Sequence, residues 1–326
     1  MRVRSDDTRK AVSFSQAALD AVDTRLWLEL ARRGAMAEAW ELSDRLRART
    51  RVFGDPSMPR HQQSLWDGTP VDGRRVLVRC YHGLGDTIQF ARFLPFVAAR
   101  AASVAVWVQP VLLPTLRSLP GHYDWLPLHD GAPDVPADVD LEIMEIAQLF
   151  RPSLETLPTA PYLRVDGLTQ PASRQLRVGV TWRAGDWEAA RSLPFAAISP
   201  WFDDERIDWW SLQYPQQACE SHPRLRQLRT PAILSLARLA SSLDLVVTID
   251  SMPAHLSGAL GLPTWTLLRR HADWRWLEGR TDTPWYPSMR LFRQAHEGDW
   301  SVPIAEASRE LDSAISRRSV AQLRAR

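Results

Sequence analysis

Between Ser15 and Arg49 the apolar positions recur at helical spacing: Ala18, Leu26, Leu28, Leu30 and Ala31, then Ala35, Ala39, Trp40, Leu42 and Leu46. Gly34 interrupts the run, so the pattern predicts two helices and a turn. A connector bearing Pro, Gly and Asp follows (50–72), and the pattern then changes to short apolar runs. Residues 75–80 read as a buried strand, His82 to Asp86 as a glycine loop, about 87–101 as a helix and 104–108 as a second strand. Strand, glycine loop, helix and strand make one βαβ unit of a parallel sheet. Short elements continue to Phe150, and 157–175, with Pro158, Pro161, Gly167 and Pro171, reads as a linker.

The second half repeats this grammar. Strands are predicted at 177–182, 207–213, 245–249 and 264–268, and helices at about 232–242 and 253–260, with Gly261 as the terminating glycine. Residues 303–323 carry one or two amphipathic helices. The predicted class is α/β: a helical hairpin resembling a single tetratricopeptide unit (1–55), a Rossmann-like domain (56–165) and a second one (175–300). A C-terminal helix or helices (301–326) are candidates to pack back on the first domain. Two such halves place a ligand in the cleft between them, beyond the carboxyl ends of the strands.

Composition narrows the function. Hydrophobic residues make up 45% and charged residues 24%, as in ordinary globular chains. A net charge of +2 argues against a nucleic-acid partner. Lys10 is the only lysine, so fixed positive charge comes from guanidinium groups, which suit phosphate. Cys80 and Cys219 have neither metal nor redox spacing. No signal-peptide pattern and no run of about 20 apolar residues is present, and the expected location is the cytoplasm.

Three segments could carry chemistry. In the first, Gly83 and Gly85 let the backbone approach a ligand at a strand-to-helix turn. Asp86 there is either the N-cap of the helix or a carboxylate aimed into the cleft as a general base. Thr87 and Gln89 complete this acceptor-side loop. In the second, Trp182, Arg183 and Gly185 precede Arg191, Ser192 and Pro194, which is either a diphosphate cradle or a solvated loop. In the third, Asp250 ends an apolar strand, Ser251 and Met252 open a helix, and His255 follows one turn on, facing either the cleft or the core. Asp138 and Asp140 have the DxD form of metal-binding transferases, a pattern common by chance. No HExxH, GxxxxGK[ST] or GxSxG occurs. Trp274, Trp276 and Trp285 read as core or interdomain packing.

Together the segments GLGDTIQFARFLP (83–95), VGVTWRAG with RSLP (178–194), DLVVTIDSMPAHLSGALGLPTWTLL (244–268) and DWRWLEGRTDTPWYPSMRLFRQ (273–294) resemble the glycosyltransferase family 9, heptosyltransferase-like proteins. The likeness is greatest to the branch linked to tetratricopeptide repeats. The resemblance implies a GT-B fold, two Rossmann-like domains facing a cleft, and an inverting transferase that needs no metal or cofactor. A nucleoside-diphosphate sugar would be its co-substrate and a glycan, lipid or protein hydroxyl its acceptor. Asp86 is the implied catalytic base. Trp182, Arg183, Gly185, Arg191, Ser192, Asp250, Ser251, Met252 and His255 are the implied donor set. Peripheral membrane association and a protein contact through the hairpin belong to the same expectation. The chain departs from the branch in a short loop between Trp182 and Arg191, in LEIMEIAQLF at 141–150 on the acceptor side, and in having about one repeat unit. A non-catalytic binding relative and a nucleotide-sugar epimerase are the alternative readings.

Overall fold

The computed structural model describes residues 16–50, 52–169, 173–185, 188–214, 220–229 and 232–324. Lys10, Cys219 and the polar N-terminal stretch lie outside them. Helices α1 (Gln16–Arg32) and α2 (Met36–Arg49) form the hairpin, and Gly34 turns between them at a φ of 79°, a region that favours glycine.

The first sheet follows. Its elements are β1 (Arg75–Arg79), α3 (Leu84–Phe90), α4 (Leu94–Ala98), β2 (Ser103–Val108), α5 (Leu113–Leu116), β3 (Asp124–Pro127), β4 (Val139–Glu142) and α6 (Glu145–Phe150). The strands run parallel in the order β3-β2-β1-β4. Val76, Leu77 and Val78 of β1 are all buried, as a strand covered on both faces requires. The helix predicted over 87–101 is instead two short ones, α3 and α4, joined by the 3₁₀ turn Ala91–Phe93. Pro95, without an N–H, suits the first turn of a new helix and not the middle of a long one.

The second sheet holds β5 (Leu176–Val180), α7 (Phe195–Ile198), β6 (Ile207–Ser211), β7 (Leu225–Arg226), α8 (Ile233–Ala240), β8 (Leu245–Ile249), α9 (Met252–Ala259), β9 (Thr264–Leu268) and β10 (Met289–Arg293). Its order is β10-β9-β8-β5-β6-β7, again all parallel, and the strand order reverses between β8 and β5. The tail is one helix, α10 (Ser301–Arg324). Its main packing among the described residues is on β5, β9 and β10 of its own sheet, where the expectation had the first domain as a candidate. Ala307, Leu311 and Ile315, four residues apart, form the buried stripe that fits that sheet, and Arg318 Nη1 lies 2.6 Å from Asp244 Oδ1.

The two halves share a core. One buried cluster runs from β1, β2 and β4 through α3 and α4 to Trp274, Trp276, Trp285 and Tyr286 of the second half. Arg92 crosses the junction with its guanidinium 4.6 Å from the Tyr286 ring, and its Nη1 donates to the Trp285 and Pro158 carbonyls at 2.8 and 3.1 Å. The hairpin touches both halves. Trp27 meets Trp274 edge-on at 5.1 Å and the Glu278 amide donates to the Arg32 carbonyl, while Trp40 Nε1 donates to the Pro152 carbonyl. Among the described residues no helix is long and apolar enough to cross a membrane.

Candidate active site

The glycine loop after β1 sets the first part of the site. Gly83 is extended and forms the N-cap of α3, so the helix begins three residues before the predicted Thr87. Asp86 is therefore not the N-cap. It lies in the first turn, and its Oδ2 reaches back to accept from the Gly83 amide at 3.1 Å. Its other oxygen accepts from Arg275 Nη2 of the second half at 2.6 Å. A carboxylate offers about four lone-pair positions, so this oxygen pair retains accepting capacity.

Arg275 comes from the 3₁₀ turn Trp274–Trp276, capped by the Asp273 carboxylate, which accepts from the Arg275 amide at 3.0 Å and from Nη1 at 2.9 Å. The guanidinium lies over the Phe90 and Trp274 rings at 5.4 and 5.2 Å. Burial opposes its charge, but Asp273, Asp86 and Asp250 outweigh burial and hold it above the usual arginine range.

Strand β8 is followed directly by the buried Asp250, which is pushed up to about 6, chiefly by burial and then by the Asp273 carboxylate, with Arg191 and Arg275 pulling it down. Ser251 takes the N-cap position of α9 without capping: its hydroxyl donates to the Ile249 carbonyl at 3.2 Å. No side chain caps α9; Pro253 brings no N–H and the Ala254 amide donates to the Ser251 carbonyl at 3.0 Å, so the amide left to favour an anion in this turn is that of Met252. His255 is buried, stacks on Trp276 at 5.4 Å and lies with Nδ1 3.0 Å from the Tyr286 hydroxyl. Burial first, then Arg275, Arg92 and Arg191, hold its ring well below the ordinary histidine range and so neutral. His255 supports the floor of the site. A Cβ built on Gly85 would sit 2.8 Å from His255 Cδ2, so this glycine is what lets the start of α3 lie against the start of α9.

The remaining expected residues divide. Thr87 and Gln89 are buried, Thr87 donating to Gln109 Oε1, so of the residues expected in this loop Gly83, Gly85 and Asp86 are the ones left partly exposed. Trp182 is buried against Phe195 and donates to Glu220, in the core of the second half. Arg183 is pinned through its backbone by the Gln213 amide, and Ser192 Oγ accepts from the Ala184 amide, so both shape the loop after β5. Gly185 is exposed beside them. Arg191 is half-buried, its Nε without a hydrogen-bond partner among the described residues. Asp138 and Asp140 of the DxD form pair with Arg75 and Arg79, clamping β4 to β1.

Sequence reasoning missed Arg275, although the segment around it contributes to the family resemblance, and it missed His82 with Glu142. His82 Nδ1 lies 2.9 Å from Glu142 Oε1 at the ends of β1 and β4. Burial works against the charged ring, but Glu142 outweighs it and raises the histidine, with Asp86 adding. The two glutamates of the divergent 141–150 segment hold backbone: Glu142 accepts from the Tyr81 and Met144 amides, Glu145 from those of Leu65, Trp66 and Glu142.

No protein-family model matches the chain. In sequence it is similar to Protein FlbA of Caulobacter vibrioides, 23% identical over 292 residues, a match covering 76% of this chain and 48% of FlbA. The chain thus spans about half the length of that relative. In structure it is similar to the glycosyl transferase family 9 protein from Veillonella parvula (TM-score 0.52, 12% identity, 76% of this chain and 98% of that one). It is likewise similar to the ADP-heptose LPS heptosyltransferase II of E. coli (TM-score 0.51, 14% identity, 75% and 99%). The fold is GT-B. In GT-B terms the Gly83–Asp86 loop belongs to the N-terminal lobe, and Arg191, Asp250 and the start of α9 belong to the C-terminal lobe.

Proposed function

We propose that this protein is an inverting glycosyltransferase that moves a sugar from a nucleoside-diphosphate sugar to a hydroxyl acceptor. The observation that carries the reading is the meeting, at the carboxyl ends of two parallel sheets, of a carboxylate from one lobe with guanidinium groups and an uncapped helix start from the other. Asp86 would take the acceptor's proton as its oxygen bonds to the anomeric carbon, and the bond from that carbon to the diphosphate breaks on the opposite face. Arg191 and the positive end of α9, with the Met252 amide, would offset the charge gathering on the leaving diphosphate. Arg275 fixes the Asp86 carboxylate in the cleft. The ADP-heptose named for the E. coli heptosyltransferase makes that sugar nucleotide the first donor to test. Calorimetry with a panel of nucleotide sugars, followed by product analysis, tests the reading. It falls if none binds and none is turned over, and product formed without any acceptor would favour an epimerase.

Arg191→Ala is expected to weaken nucleoside-diphosphate binding about tenfold or more, since a charge-assisted phosphate contact contributes about 1.5–3 kcal/mol. Melting temperature should change little, because the ion pair of the Arg191 guanidinium among the described residues is a long one, 3.8 Å to Glu188. Unchanged affinity would place Arg191 outside the donor site. Turnover is also expected to survive excess EDTA, because side-chain cations and helix amides take the neutralising role in this reading. Loss of turnover on chelation, restored by Mn²⁺ or Mg²⁺, would assign that role to a metal.

A further inference from the structure

The strand order of the second sheet reverses between β8 and β5, so the crevice opens at the carboxyl ends of those strands. The loop after β5 brings Arg191 to it, the start of α9 follows β8, and the residue directly after β9 is Arg269. Glu188 joins the two arginines. Its Oε1 lies 2.6 Å from Arg269 Nη2, and its Oε2 lies 3.8 Å from Arg191 Nε. The two guanidinium groups thus stand one carboxylate apart, although they come from different strands. Both side chains are about a fifth exposed, at 21% and 18%, and the Nε of each is buried without a hydrogen-bond partner among the described residues. Two half-buried cations held this close need an anion between them. The other acidic groups nearby are Glu297, 3.9 Å from Arg269 Nη1, and Asp250, whose charge is felt at Arg191.

We propose that Arg269 is the second guanidinium of the diphosphate site and that Glu188 is an internal competitor for it, a carboxylate that must swing off Arg269 before a phosphate pairs there. This inference rests on the nucleotide-sugar reading above. Glu188 is 39% exposed and directly precedes the 3₁₀ turn Ala189–Arg191, so it is the member of the trio with solvent to move into. A diphosphate presents more oxygens and more charge than one carboxylate, and a guanidinium fork prefers it. Glu188 would keep the pair of arginines satisfied until a ligand long enough to reach Arg269 displaces it.

The test is calorimetry of wild type, E188Q, R269M and R269K with whichever of ADP, GDP and UDP binds wild type most tightly, and in parallel with the matching monophosphate and inorganic pyrophosphate. E188Q is expected to tighten the diphosphate and pyrophosphate about three- to tenfold at low salt, with a smaller gain for the monophosphate. R269M is expected to weaken the diphosphate about tenfold, with R269K recovering part of the loss, since lysine restores charge without the fork. If wild type binds a nucleoside diphosphate and E188Q leaves that affinity unchanged or lower, the competitor role is overturned while the glycosyltransferase reading stands. If neither wild type nor E188Q binds any of the nucleotides, the reading itself falls and takes this inference with it.

Discussion

Asp86→Asn is expected to lower turnover by about 10²–10⁴-fold, the usual loss when a general base is replaced by a group that takes no proton. Nucleotide affinity should stay near wild type, because the groups proposed to hold the donor lie on the other lobe. The folded state should weaken as well. The Asp86 carboxylate accepts from both the Gly83 amide and Arg275. An asparagine has one accepting oxygen, so one of these donors would face its NH₂ group, at a cost of about 1–3 kcal/mol. The expected signature is a melting temperature lowered by a few degrees together with a collapse of single-turnover rate at saturating donor. Full turnover in this variant would remove Asp86 from the reaction.

Arg275→Met should have the largest effect on stability. It leaves Asp86, Asp273 and Asp250 near one another without the buried cation that joins them. Removing one partner from a buried ion pair costs about 3–5 kcal/mol, a large part of the about 5–15 kcal/mol that holds a typical domain together. The deficit should depend on pH in a definite direction. Asp250 is already raised from 3.8 to about 6, so the native state binds more protons than the unfolded chain in that window, and this group's contribution to stability falls as pH rises through it. Without Arg275 the carboxylates repel one another more, which strengthens the same trend. Urea unfolding at about pH 8 and about pH 5 should therefore show a smaller gap to wild type at the lower pH. A gap independent of pH would mean that the loss comes from packing on Phe90 and Trp274 and not from charge.

Much of the fold could be read from local pattern. The strands at β1, β2, β5, β8 and β9 are dense apolar runs bounded by turn residues, and Gly34 and Gly261 sit at positive φ where the sequence placed breaks. The parts that escaped were set by longer-range contacts. Residues 289–293 form β10 only because β9 offers an edge, and their arginines obscure the pattern. Asp86 was legible as a candidate but not in its local structural role, because helix α3 starts at Leu84 once Gly83 takes the extended cap conformation. Arg275 and Arg269 stand about 190 and about 80 residues from the groups they meet, Asp86 and Glu188, and no spacing rule links such pairs. The segment 141–150 looked like a change at the acceptor side; its glutamates accept from backbone amides, and Glu142 also meets the His82 ring.

The hairpin acts as a third body of the linkage between the lobes. It is fastened to the second lobe through Trp27 and Arg32 and to the first through Trp40. The lobes are fastened to each other where α3 meets α9 and where Arg92 crosses. Three bodies joined pairwise form a closed linkage, and a closed linkage loses rotations that a hinge on a single strand of chain would allow. A twist of one lobe against the other must also slide Trp27 on Trp274, the residue next to Arg275. The geometry around Asp86 is thereby tied to the seating of a helix pair that contributes none of the groups assigned to the site.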